Sequence, residues 1–208
     1  MMFLALLGLS VAGALQDVAQ AHAASPALLA RAMNPNPALQ SYTASAQLSA
    51  RLLGPLPVSK TFPGTVYYLK PKRKIELQNV PGPLSKFKDM AASAPSYEQL
   101  MAQYSVTPLS DSGTASSYSL VPKKTDSRVK HITVTVDDAS ALITRAHWLY
   151  TDGGTLTFDQ SYTTVANFQL PSRANIAARF PGYSVDGTLT FTNYNLNANV
   201  SPSVFASP

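Results

Sequence analysis

The side chains able to do acid–base, nucleophilic or metal chemistry are few in this chain, and they are badly spaced for it. Its three histidines are His22, His131 and His147. His131 and His147 fall in two runs that read as neighbouring strands and could face one another across a hairpin. A two-histidine metal site needs a third ligand, and none stands at diagnostic spacing. There is no cysteine, which excludes disulfides, thiol nucleophiles, thiolate metal sites and a lipidated N-terminal Cys. Asp137 and Asp138 sit between two β-branched runs, where Asp bonds its own backbone in a turn, so they do not read as a general acid and base. No Gly-x-Ser-x-Gly, phosphate-binding loop or His-Glu-x-x-His motif is present. The reading is a protein without catalytic activity, metal or cofactor, whose work falls to apolar surface.

The elements that would shape such a surface are strands. From Lys130 to Val165 the chain reads HITVTVDD, ALITRAHWLY, TDGG and TLTFDQSYTTV. Ile132, Val134 and Val136 alternate with polar neighbours, and Leu156, Phe158, Gln160 and Tyr162 follow at period two, the signature of strands. Asp137-Asp138 and Asp152-Gly153-Gly154 supply the turns. Connections this short join antiparallel neighbours, so the stretch is a meander.

The cleanest alternation lies earlier. Tyr42, Ala44, Ala46, Leu48, Ala50 and Leu52 fall on one side of a long strand, and Thr43, Ser45, Gln47, Ser49 and Arg51 on the other. Alanine at three of six apolar positions leaves volume that a close-packed interior must fill in some way. Either large residues from opposite strands or a helix fill it, or a ligand does. Strands follow over Phe62–Leu69 and Ile75–Val80, joined by the basic step Lys70-Pro71-Lys72-Arg73-Lys74. Lys86, Lys88, Lys123, Lys124, Arg128 and Lys130 could join that step in one basic edge, or stand apart as solvated charges that protect strand ends. Val80–Thr114 is poor in strand signal. A helix is expected over Tyr97–Tyr104, with Ser96 and Gln99 at capping-box spacing and Tyr97, Leu100, Met101 and Tyr104 in one stripe. A second short helix is expected over Ser25–Met33, with Ser25 as N-cap and Pro26 at the first helical position. After the meander, Ala166–Leu170, Ala174–Phe180, Tyr183–Val185 and Thr188–Leu196 read as strands, with Pro181-Gly182 and Asp186-Gly187 as turns.

With 208 residues, 45% of them hydrophobic and 13% charged, the chain has the core of one domain, expected over 24–208. Phe3–Leu15 is an apolar run of ~13 residues, short of the roughly 20 that span a bilayer. Ala21-His22-Ala23 follows as a small-x-small cleavage site, so residues 1–23 read as a signal peptide. Its removal deletes Asp17 and no Lys or Arg, leaving 16 basic against 10 acidic residues. Modest basicity in an exported protein suits an anionic membrane surface or ligand, not nucleic acid.

The order of these features resembles the LolA-like lipoprotein-carrier superfamily. The likeness rests on SYTASAQLSARLL, then GTVYYLKPKRKIEL, then YSLVPKK, then VDDASALITRAHWLYTDGGTLTFDQSY, and a late NYNLNANVSPSVF ending at Phe205. The resemblance implies a mostly β fold, a curved antiparallel sheet or incomplete β-barrel with helices covering its concave face. It implies a periplasmic, monomeric carrier that holds acyl chains of lipids or lipoproteins and makes transient membrane or membrane-protein contacts. The cavity would be lined by Ala44, Ala46, Leu48, Ala50, Leu52, Val66, Tyr68, Leu100, Met101, Tyr104, Trp148 and Phe158, with Lys70, Lys72 and Arg73 at its lid or rim. Lys70, before Pro71, stands where such carriers have an Arg that helps hold the lid closed, and Lys lacks that planar fork. The Gly-Lys-x-x-Trp hairpin usual after the second strand is missing. The alternative on the same fold is an interaction module whose apolar face is a sealed core.

Overall fold

The computed structural model describes residues 25–54, 57–80, 96–125 and 127–206. The expected signal peptide, the Pro81-Gly82-Pro83 segment, Lys86 and Lys88 lie outside them.

Two helices form where their caps direct. α1 (Pro26–Met33) starts at Ser25, whose Oγ accepts the Leu28 N–H at 3.2 Å. α2 (Tyr97–Gln103) starts at Ser96 with both halves of the capping box made: Ser96 Oγ accepts the Gln99 N–H, and Gln99 Oε1 accepts the Ser96 N–H.

Ten strands make one sheet: β1 (Ser41–Leu53), β2 (Val58–Leu69), β3 (Lys72–Leu77), β4 (Tyr104–Asp111), β5 (Ala115–Pro122), β6 (Val129–Asp137), β7 (Leu142–Tyr150), β8 (Thr155–Val165), β9 (Phe168–Phe180) and β10 (Tyr183–Leu196). Their order is β3-β2-β1-β10-β9-β8-β7-β6-β5-β4, with every neighbouring pair antiparallel. The sheet is not closed, and β3 and β4 are its edges. The expected class, a mostly β protein built on a curved, unclosed antiparallel sheet, is the one observed.

The curvature is strong. β3 and β8 are separated by four strands, which in a flat sheet would put them ~24 Å apart at the usual strand spacing. Ile75 on β3 and Leu156 on β8 are nevertheless both buried on the inward face, 3% and 0% exposed, in one apolar cluster. The sheet therefore curls until its two sides approach across the apolar face.

Three sequence readings are corrected here. The stretch Val80–Thr114 contains β4, which alternation hides because Pro108 and the two serines Ser105 and Ser110 interrupt it. An edge strand tolerates this proline, since one side of it has no ladder to complete. Ala166–Leu170 and Ala174–Phe180 belong to one strand, β9, which passes Pro171 with a register shift opposite Ser161/Tyr162. Asp186-Gly187 is not a turn. Both lie inside β10, where Asp186 Oδ1 is 2.5 Å from Arg179 Nη2 and Gly187 sits between Ala50 and Ile176. Asp-Gly signals a turn only where no neighbouring strand captures it. The turns at Gly153 (φ +82°) and Gly182 (φ +90°) are observed as read.

The register puts Ala46 opposite both Gly64 on β2 and Phe191 on β10. A Cβ at Gly64 would lie 2.2 Å from the Glu76 carbonyl oxygen, so Gly64→Ala must push β2 and β3 apart. It is expected to cost about 1–3 kcal/mol, read as a lowered urea midpoint in equilibrium unfolding.

Candidate functional site

The candidate site is the inward face of this sheet. Cross-strand register lines up Val66, Ala44, Phe191 and Leu189 with Ala174, Ile176 and Leu156 along one side, while the outward neighbours are Thr and Ser. The inward residues form two apolar clusters. The larger joins β1, β2, β3, β8, β9 and β10. The smaller joins α1, α2, β5 and β6 through Leu28, Leu29, Leu100, Tyr118, Leu120, Ile132, Val134 and Val136. Trp148, the sole tryptophan, packs against both and meets Phe158 edge-on at 5.6 Å between ring centres. Both described helices pack at the β4–β7 end of the face.

The structure places the sequence candidates as follows. Ala44, Ala46, Leu48, Ala50 and Val66 are buried in the larger cluster, and Tyr68 and Phe158 pack on its margin. Leu100 is buried in the smaller one beside half-buried Tyr104. Leu52 shares the inward parity of β1 and is paired with Val58 and Val185, but it stands 45% exposed near the end of the strand, and Met101 is also exposed. The alternation could not show where a strand leaves the sheet's cover. Alternation also missed much of the lining: Phe62, Ile75, Ala174, Ile176, Ala178 and Phe191 sit in strands whose inward parity becomes readable only with the register known.

The rim cations separate. Lys70 is exposed and its Nζ donates to the Pro37 carbonyl at 2.6 Å, which ties the β2–β3 turn to the linker before β1. Lys72 is exposed at the same turn. Lys123, Lys124 and Arg128, between β5 and β6, and Lys130, at the start of β6, lie at the other rim, so one shared basic edge does not form among the described residues. Arg73 is half-buried and belongs to a tyrosine cluster that the sequence reading passed over. Tyr42 stacks on Tyr68 (5.0 Å) and meets Tyr194 edge-on (5.3 Å). Burial pushes the hydroxyls of Tyr42, Tyr68, Tyr162 and Tyr194 up, and the Arg73 guanidinium opposes that rise at all four. The available signal was a tyrosine at the rim end of several strands, one of which opens the β1 alternation.

The other polar candidates are engaged locally. His131 Nε2 is 2.9 Å from Ser119 Oγ and His147 Nδ1 is 2.8 Å from Thr157 Oγ1, and the residue opposite His147 is Thr133. Asp137 accepts from the Ser140 N–H and Oγ, which holds its carboxyl below the usual range. Asp138 accepts from Ser116 Oγ at 2.7 Å. Among the described residues no group of three metal-ligating side chains occurs.

No protein-family model and no curated protein matches the sequence. Solved structures do match the fold. A domain ascribed to outer membrane lipoprotein sorting in Vibrio parahaemolyticus aligns over 86% of this chain and 95% of its own, with TM-score 0.62 and 13% identity. A DUF1329 family protein from Desulfovibrio piger aligns over 87% and 95% (TM-score 0.55, 13% identity). A LolA superfamily protein from Nitrosomonas europaea aligns over 88% and 98% (TM-score 0.51, 7% identity). At these identities the likeness is one of fold, and the fold is LolA-like.

The buried tyrosines give a pH prediction. Burial pushes Tyr150 and Tyr162 up to about 12, from an ordinary value of 10.0. A folded value above the unfolded one means that their stabilisation is fully present below pH ~10 and is lost as pH rises through ~12. Absorbance at 295 nm should show the exposed tyrosines ionising near pH 10 and a second group ionising near 12, together with loss of the fold.

Proposed function

We propose that this protein is an exported carrier that holds acyl chains of a lipid or lipoprotein against the inward sheet face and moves them between membranes. The observation that carries this reading is the curled, unclosed sheet whose inward face is apolar across all its strands, with small side chains at its centre. Ala44, Ala46 and Ala50 on β1 and Ala174 and Ala178 on β9 flank β10, whose Leu189 and Phe191 lie between them. An acyl chain of about 15 methylenes gains on the order of 12 kcal/mol from leaving water, before ordering costs. Apolar burial alone can therefore hold such cargo, without a catalytic residue or cofactor. The fold neighbour ascribed to outer membrane lipoprotein sorting supports the reading by analogy. In this reading Leu48, Val66, Trp148 and Phe158 contact the cargo. Arg73 and its tyrosines form a polar collar at one rim, and Lys70 fastens the turn beside it. Residues 1–23 direct export and are removed, and the single domain 24–208 acts as a monomer in the periplasm.

A second reading keeps the fold as an interaction module with a sealed core. What favours it is that the inward residues of β1 are already buried: Ala44 is 3%, Leu48 4% and Ala50 7% exposed.

Native mass spectrometry of the chain from Ala24, followed by solvent extraction, separates the two. Acyl species at fixed stoichiometry are expected. A clean apo mass, with no uptake from added vesicles, would leave the sealed-core module. Trp148 gives a second readout, because loading should shift its emission to the blue, and Leu48→Glu in a folded protein should abolish both signals.

A further inference from the structure

The two ends of the sheet differ in a way that the carrier reading does not use. Six large apolar side chains are exposed among the described residues: Leu52, Val58, Met101, Leu109, Val121 and Tyr183. Singly, exposed apolar residues mean little. All of these except Leu109 stand at one end, where β1, α2 and β5 finish and β2 and β10 begin. The β1–β2 hairpin is the centre of the group. Its residues 52–58 read LLGPLPV, without a charge or a side-chain hydrogen-bond donor, whereas hairpin connections in water are usually Gly, Asn, Asp and Ser. Leu52 pairs with Val58 across the hairpin, 45% and 49% exposed, and Tyr183 opens the adjacent strand at 39%.

Charge at the same end is one-sided. Arg51, Lys60, Lys123, Lys124, Arg128, Lys130 and Arg179 gather there, against Asp152 and Asp186 among the described residues. Asp186 is the partner of Arg179 at 2.5 Å. Directly behind the hairpin tip, a groove of ≈ 340 Å³ crosses β1, β2 and β10. Arg51 and Lys60 line it with the hydroxyls of Ser49, Ser59, Thr61 and Thr188, and the Asp186 carboxylate already engaged by Arg179 is on its wall. Two cations and four hydroxyls behind an apolar tip match the layering of a bilayer surface, with phosphates outside and acyl chains beneath.

The geometry points to a membrane-docking end: Leu52, Val58 and Tyr183 enter the headgroup–acyl boundary of an anionic bilayer while Arg51 and Lys60 take lipid phosphates in the groove behind them. Charge complementarity selects this occupant, since a water-soluble apolar partner would leave the surrounding cations without a role. The inference does not depend on what the inward face holds. A sealed-core protein could dock in the same way, and a carrier could exchange cargo without it.

Vesicle co-sedimentation of the purified protein tests it, with phosphatidylglycerol-containing vesicles compared with phosphatidylcholine alone. The expected result is binding to the anionic vesicles that falls when salt is raised from about 0.1 M to about 1 M. Each cation is worth about fivefold in partitioning, so Arg51→Glu/Lys60→Glu should weaken binding by at least about twenty-five-fold. Leu52→Asp/Val58→Asp should abolish it in a protein that still folds, since both side chains are about half exposed. Leu109→Asp, an equally exposed apolar site away from this end, should leave binding unchanged. Equal binding to both vesicle types, equal loss in the Leu109→Asp control, or full binding by either double variant would overturn the proposal. So would a change of oligomeric state in the Leu52→Asp/Val58→Asp variant with vesicle binding retained, which would make the tip a protein interface. Extracted acyl content in the same variants reports separately on the carrier reading.

Discussion

A sheet that is apolar on one side only has to take that side out of water, and every other feature of this chain answers to that requirement. Exposed apolar patches beyond a few hundred Å² are liabilities for a soluble protein. Ten antiparallel strands cannot hide such a face by staying flat, and the two helices among the described residues pack only at its β4–β7 end. The sheet curls instead, far enough to bury Ile75 on β3 and Leu156 on β8 in one apolar cluster. The small residues of β1 and β9 belong to the same solution. Ala46 and Gly64 beside Phe191 give that ring room, so the inward face can close without collision.

The unclosed edges create the second requirement. An edge strand invites pairing with another chain. The edge at β3 is met by the C-terminal 3₁₀ turn Pro202–Phe205, with Lys74 Nζ donating to the Val204 carbonyl at 2.7 Å while also paired with Glu76. The β4 edge carries Pro108 and a register shift near it, both of which spoil a template for addition. Polar chemistry is consequently displaced to the rims. One rim holds Arg73 with its tyrosines and the other holds most of the remaining cations.

What could be read from the sequence follows from which signals are local. The β1 alternation, the meander with its Asp152-Gly153 turn, and both N-caps depend on residues within a few positions of each other, and the structure has them where they were read. β4 was missed because a proline edge strand owes its place to β5, not to its own pattern. Asp186-Gly187 was misread because only Arg179 and the neighbouring strands explain it. For the site, inward parity was legible on β1, and the structure keeps Ala44, Ala46, Leu48 and Ala50 together. The contribution of β9 and β10, and the tyrosines gathered by Arg73, needed the register, because contacts across a curled sheet leave no trace in spacing along the chain.

The register also fixes when the molecule can exist at all. β1 has β2 on one side and β10 on the other, and β10 ends at Leu196, so the strand that begins the sheet is completed by the last one made. A chain emerging from synthesis or from a translocation pore can zip β2 onto β1, and can build the meander, but the seam between the two halves waits for the final strand. Loop closure over so many residues is slow relative to local pairing. Until it occurs, the alanine side of β1 is open water-facing surface. The sheet cannot be complete before the stretch from Tyr183 to Leu196 is available, so the two halves stay separable until then.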